Sequence, residues 1–137
     1  MSAPPLRQRR RSTAKRQAVL DALSACDKFR SARQLYLEIC QRQADLVALT
    51  TVYRILHALA EEQIAATQRA EDGEVLYRLH DGTEHAHYLL CRRCGHAVAF
   101  SPKSLEEHTD EFASQYHFAD IAHYINFYGT CPGCREA

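Results

Sequence analysis

Two Cys-x-x-Cys pairs, Cys91/Cys94 and Cys131/Cys134, place four thiols at a spacing that can surround a tetrahedral zinc ion with no other ligand. Gly95, after the first pair, gives its tight turn access to positive φ, and Pro132-Gly133 do the same inside the second. A pair of disulfides or a redox dithiol is the competing chemistry. With no apolar leader to point to an oxidising compartment, zinc is the preferred reading. Cys26 and Cys40 stand apart from this set, on segments patterned like helices, and are expected to be buried and inert.

A second set carries nitrogen and oxygen donors. His85-Ala86-His87 on a strand would turn both imidazoles to one face. Glu106 on a helix and His123 on a later strand could complete a His3Glu shell suited to zinc, iron(II), nickel or manganese. The bland alternative is a polar surface. Such donors hold a metal more weakly than four thiolates and join separate elements when filled, which suits a switch rather than a scaffold.

The elements that must position these residues follow from periodicity and punctuation. Residues 1–11, with Arg7, Arg9, Arg10 and Arg11, read as a disordered basic arm. A first helix follows Ser12 or Thr13, with Ala18, Val19, Ala22 and Leu23 on one face. Ser31 and Gln34 form a capping box for a second helix bearing Leu35 and Ile39. Thr50 is the expected N-cap of a third, whose buried stripe is Val52, Leu56, Leu59 and Ala60. Glu71-Asp72-Gly73 then separates two strand-like runs as a hairpin. Three helices and a hairpin make a winged-helix pattern over residues 12–79, and the polar stretch 80–84 is a hinge. Residues 85–137 are expected to be α+β: a strand from His85 to Leu90, a second from Ala97 to Phe100, a helix opening near Pro102 or Ser104, and a last strand from Ile121 to Tyr128.

Charge divides the same way. The net charge is zero, but residues 1–60 hold eleven Lys/Arg against four Asp/Glu, and residues 80–137 hold four against eight. A cationic amino-terminal lobe suits a polyanion, since phosphate contacts release counterions, although a solvated charge run has the same composition. In a winged helix the third helix enters the major groove, where Thr51 and Tyr53 can touch thymine methyls or phosphates and Arg54 a guanine or the backbone. Lys15 and Arg16 would add phosphate contacts. The competing roles are a core aromatic for Tyr53 and an ion pair with Glu61 or Asp45 for Arg54. No apolar run nears the roughly 20 residues that span a bilayer. A zinc hydrolase would need an open ligand position, and no His-x-Glu or His-Glu-x-x-His run is present, so an enzyme is not expected. A thiol redox switch remains as an alternative.

The run Leu49-Thr50-Thr51-Val52-Tyr53-Arg54, the segment His85-x-His87-x-x-x-Cys91-x-x-Cys94-Gly95 and Tyr128-Gly129-Thr130-Cys131-x-x-Cys134 together resemble the ferric-uptake-regulator superfamily of bacterial metal-dependent repressors. Phe29-Arg30-Ser31-Ala32 and Phe127 to Cys131 are most similar to its zinc uptake regulators. The resemblance implies a cytoplasmic homodimer that binds palindromic double-stranded operator DNA when metal is bound and represses metal uptake genes. It makes Cys91, Cys94, Cys131 and Cys134 a structural zinc site, and His85, His87, Glu106 and His123 a regulatory site for a second zinc or, alternatively, iron(II). A hinge metal site common in such proteins would fall on Ala86 and Tyr88, which are not ordinary ligands, leaving His80 as a possible remnant. That departure argues against a peroxide sensor.

Overall fold

The computed structural model describes residues 3, 5–82, 87–101, 103–123 and 125–136, so the expectations for Glu84, His85, Ala86 and Pro102 lie outside the described residues. The first helix, α1 (Leu6–Ser24), starts earlier than its apolar face does. Most of the stretch expected to be an irregular arm over 1–11 is helical. The reason is local: Pro5 holds φ −56° and ψ 150° at the N-cap, and the Leu6-Arg7-Gln8-Arg9 run behind it contains strong helix formers and no glycine. Only the distal half is packed, through Val19, Ala22 and Leu23.

A two-residue strand, β1 (Arg30–Ser31), leads into α2 (Ala32–Arg42). Its capping box forms as expected: Gln34 N donates to Ser31 Oγ at 3.1 Å and Ser31 N to Gln34 Oε1 at 2.8 Å. The helix α3 (Leu49–Glu61) is capped by Ala48 rather than Thr50, with no side-chain cap. The Ala48 carbonyl already accepts from Thr51 N and Val52 N at 3.1 Å, so the first turn closes before a Thr50 hydroxyl could serve. The strands β2 (Ala65–Arg69) and β3 (Val75–Leu79) form the hairpin, and the sheet order β1-β3-β2 is antiparallel throughout. Val19, Leu23, Leu35, Val52, Leu56 and Leu59 meet in one core, which makes this half a winged helix.

Arg30 ties that core together. Its guanidinium pairs with Glu38 of α2 and donates to the Ala22 carbonyl of α1 at 2.6 Å, placing a buried cation near the negative end of the α1 dipole. Because the Glu38 side chain is 36% exposed, the pair is partly screened, and Arg30→Ala is expected to cost about 2 kcal/mol rather than the 3–5 of a fully buried pair. Urea unfolding at constant slope checks this.

The carboxyl half follows with β4 (His87–Cys91), β5 (Ala97–Phe100), α4 (Lys103–Gln115), β6 (Asn126–Gly129) and α5 (Pro132–Arg135). Its sheet order is β5-β4-β6, with β5 antiparallel and β6 parallel to β4. The parallel pairing requires a crossover, which α4 supplies. The last strand was expected from Ile121 but begins at Asn126, opposite Tyr88. His117 and Asp120 take positive φ (58° and 54°) ahead of it, and β4 offers no further described residue for 121–123 to pair with.

Two faces of β4 do different work. Tyr88 and Leu90 turn inward and join Phe29, Leu76 and Tyr128 in a second, smaller core between the two sheets. There Phe29 N donates to Gly95 O at 2.9 Å. Gly95 has φ +79°, and a Cβ on it would lie 2.0 Å from the Phe29 carbonyl oxygen, so both turn and contact demand glycine. Arg92 pairs with Glu71 at 3.1 Å, and Tyr128 Oη donates to Arg69 O at 2.6 Å across the same seam. On the outer face Val98, Leu89 and Phe127 line up in register across all three strands and remain exposed. Among its described residues α4 buries none.

Candidate metal centres and nucleic-acid interface

Cys91 ends β4, Cys94 closes the turn behind it, and Cys131 N-caps α5 with Pro132 at its first position and Cys134 one turn on. The parallel β4/β6 pairing brings the two turns side by side, and the four Sγ atoms all lie within 4.8 Å of one another. All six cysteines are free, so no disulfide competes. Cys94 Sγ and Cys131 Sγ are 3.7 Å apart, matching the edge of about 3.8 Å that a tetrahedron with Zn–S near 2.3 Å would have.

The thiols also show the charge problem that a cation solves. Burial acts to raise Cys91, yet hydrogen bonds from the backbone of Cys131, Cys94 and Arg93 outweigh it and bring the thiol down to about 6. Cys134 is pushed up to about 12, first by its hydrogen bond with Cys131 and then by burial and the remaining thiols. Without a cation Cys91 is drawn toward the thiolate while Cys134 is held protonated; a bound divalent ion deprotonates its thiol ligands outright. Zinc therefore fits the cluster in number, element and geometry.

The second centre is assembled from three elements. His87 Nε2 lies 3.0 Å from Glu106 Oε1, and His123 Nε2 lies 3.2 Å from each of these two atoms. The atoms form a nearly equilateral triangle, as three ligands on one face of a tetrahedron would at metal distances of about 2.0–2.1 Å. His87 is buried against Phe100, its cross-strand partner, with ring centroids 5.9 Å apart. Glu106 comes from the first turn of α4. His123 comes from irregular chain rather than the expected strand. His85 lies outside the described residues, so the structure brings together three of the four expected donors. His80 joins neither cluster; its Nδ1 accepts from Gly82 N at 2.9 Å and its side chain is exposed.

On α3, Tyr53 is 46% exposed and Arg54 is exposed, while Thr51 is half-buried. The core role for Tyr53 is thereby excluded. The competing pair of Arg54 with Glu61 does not form: Glu61 instead accepts from His57 at 3.1 Å. Lys15 is half-buried on α1. Arg16 pairs with Glu62 at 2.9 Å in a solvent-exposed contact. The remaining cysteines depart from expectation, since Cys26 and Cys40 are only half-buried and Cys26 lies beyond the end of α1. Two residues the local pattern could not single out are Arg30 and Arg78, whose partners lie on other elements: Glu38 of α2 and the Ala22 carbonyl of α1 for the first, Phe29 and Tyr88 of β4 for the second.

The sequence matches the ferric uptake regulator family over residues 7–128. The zinc uptake regulation protein of Mycobacterium tuberculosis is 37% identical over 127 residues, which are 92% of this chain and 95% of that protein. The crystal structure of FurB from M. tuberculosis, a zinc uptake regulator, superposes with a TM-score of 0.50 at 37% identity over 91% of this chain and 95% of that one. The Vibrio cholerae ferric uptake regulator superposes with a TM-score of 0.64 at 28% identity, over 85% of this chain and 88% of that one. A match over nearly the whole chain, joined to the two donor clusters and the winged helix, leaves one conclusion: the chain belongs to the ferric uptake regulator family.

Proposed function

We propose that this chain is a zinc-sensing transcriptional repressor, a cytoplasmic homodimer that binds palindromic double-stranded operator DNA when its regulatory site is filled and so controls metal uptake genes. The observation that carries it is the His87/Glu106/His123 triangle, a three-donor site separate from the four thiols and lying on the sheet that docks against the winged helix. In this reading residues up to Leu79 are the DNA-binding lobe, 80–84 the hinge and 85–137 the metal-binding, dimerising lobe. Cys91, Cys94, Cys131 and Cys134 hold a structural zinc, and His85 joins the triangle as a fourth ligand. Thr51, Tyr53 and Arg54 enter the groove, and Lys15 meets phosphate. Arg16 contributes through its pairing with Glu62, which fixes α1 to the end of α3. The chain acts as a regulator rather than an enzyme.

Operator binding measured against buffered free zinc and free iron(II) tests this. Affinity should rise at a lower free concentration of zinc than of iron(II). The reverse order would make it an iron sensor, and no response to either metal would overturn the reading.

The dimer follows from apolar surface. Leu89, Val98 and Phe127 on the sheet, with Phe112, Tyr116 and Phe118 on and after α4, are all exposed in the single protomer. A patch of that extent marks a protein contact. Introducing a charge into it, Phe127→Asp, is expected to shift the molar mass from dimer to monomer in light scattering while the thiol cluster keeps its zinc.

A further inference from the structure

Where the two sheets meet, the Arg78 guanidinium of β3 lies against two rings, its Cζ 4.5 Å from the centroid of Phe29 and 5.1 Å from that of Tyr88. The rings meet edge to face at 5.4 Å and 75°, and both are buried. Phe29 leads into β1 and α2, whereas Tyr88 stands on β4, so one cation touches a ring from each half of the protein. Its hydrogen-bonding edges are used too: Nη2 donates to Asp81 Oδ2 at 3.1 Å and to the Tyr88 hydroxyl at 3.3 Å, and Nη1 reaches the Asp27 carbonyl at 3.5 Å. The side chain is only 12% exposed. Desolvated cation–π contacts of this kind shift an equilibrium by about 30-fold.

Strand alternation places this junction back to back with the nitrogen and oxygen donors. His87 faces Glu106 and His123 on one side of β4, and its neighbour Tyr88 faces Arg78 on the other. We propose that Arg78 is the positioning residue that couples the His87/Glu106/His123 site to the winged helix. Metal at His87 fixes the strand that presents Tyr88; the Phe29–Arg78–Tyr88 stack then holds the amino-terminal lobe, and with it α3, at one angle. The guanidinium does here what a bridging ion at a hinge would do, but without dissociating. The proposal rests on the reading of metal-responsive DNA binding given above.

The test uses the full-length protein and a duplex selected from a random library by the zinc-loaded wild type. Binding by fluorescence anisotropy at low and high buffered zinc is compared for wild type, Arg78→Met, Arg78→Lys and Tyr88→Leu, together with X-ray scattering of each protein in zinc. In Arg78→Met the gain in affinity on adding zinc is expected to fall at least about tenfold, with zinc content, dimer mass and zinc-free affinity unchanged. Its radius of gyration in zinc should exceed that of wild type. Arg78→Lys keeps the charge but loses the fork, so its gain should fall between the two. Tyr88→Leu breaks the stack from the opposite lobe and should reproduce the loss, which keeps the test valid if Arg78→Met does not fold. Variants that retain the wild-type gain and scattering profile would overturn the proposal. A wild type whose DNA affinity ignores zinc would instead overturn the regulatory reading, and the scattering comparison would still decide the junction.

Discussion

Cys131→Ala should empty the thiol cluster and unfold the carboxyl half while the winged helix stays folded. In small zinc peptides the structural ion contributes about 10–16 kcal/mol of folding free energy at pH 7, as much as or more than the 5–15 kcal/mol that stabilises a typical domain. This half has little else to rely on. Its buried residues among those described are His87, Tyr88, Leu90 and Cys91, all on β4. Both thiol-bearing turns are needed to hold β6 against it, because Cys131 N donates to Cys91 Sγ at 3.3 Å and Arg92 N to Gly129 O at 2.8 Å only while the two stay together. The amino-terminal core contains no thiol from the cluster. Circular dichroism on heating should therefore show the helical signal of α1 to α3 melting with its own transition, after the remainder has already been lost. Zinc content should fall in parallel, and an unaltered melting profile in the zinc-free variant would refute the scaffold role.

His123→Ala should have the opposite signature. The fold, the dimer and the zinc in the thiol cluster are expected to persist, but operator affinity should stop responding to added metal. His123 is well placed for so clean an effect, since it lies on irregular chain after the positive-φ Asp120 and supports no strand. Its imidazole closes the triangle with His87 and Glu106, and with it removed two donors remain of those described, too few to hold an ion against water and cellular chelators. The response at stake is that of an ordinary allosteric coupling, about 5- to 150-fold in affinity. A gel-shift titration in buffered zinc measures it, and a variant with the full wild-type gain would remove this site from the switch.

Signals written in a few neighbouring residues were legible in the sequence. The Ser31/Gln34 cap, the Val52/Leu56/Leu59 stripe, the Glu71-Asp72-Gly73 turn and the spacing of the thiols each encode their own local geometry, and the structure has all of them. What failed depended on distant partners. The stretch Ile121 to Tyr128 was expected to be one strand, but its pairing with the described part of β4 starts at Asn126, opposite Tyr88, after positive φ at His117 and Asp120. The start of α1 was misplaced because apolar periodicity marks where a helix packs, not how far good helix formers extend it beyond the core. Within the candidate sites, donor types were readable from spacing and resemblance, whereas Arg16 looked like a free cation until Glu62, 46 residues away, was seen beside it. Arg78 gave no local signal at all, because its two rings come from the segment ahead of β1 and from β4.

The helix α4 presents Glu106 to the donor triangle yet buries none of its described residues in a single protomer. Whatever steadies that helix steadies the carboxylate, and its exposed Phe112 is left open by the described residues of the protomer, free to meet a second subunit. Subunit association and metal capture thus draw on one element, and thermodynamic reciprocity makes each strengthen the other by the same factor. The apparent metal affinity is then no fixed constant of the polypeptide. It rises with the protein's own concentration, so a cell that makes more of this protein also lowers the metal level at which it responds.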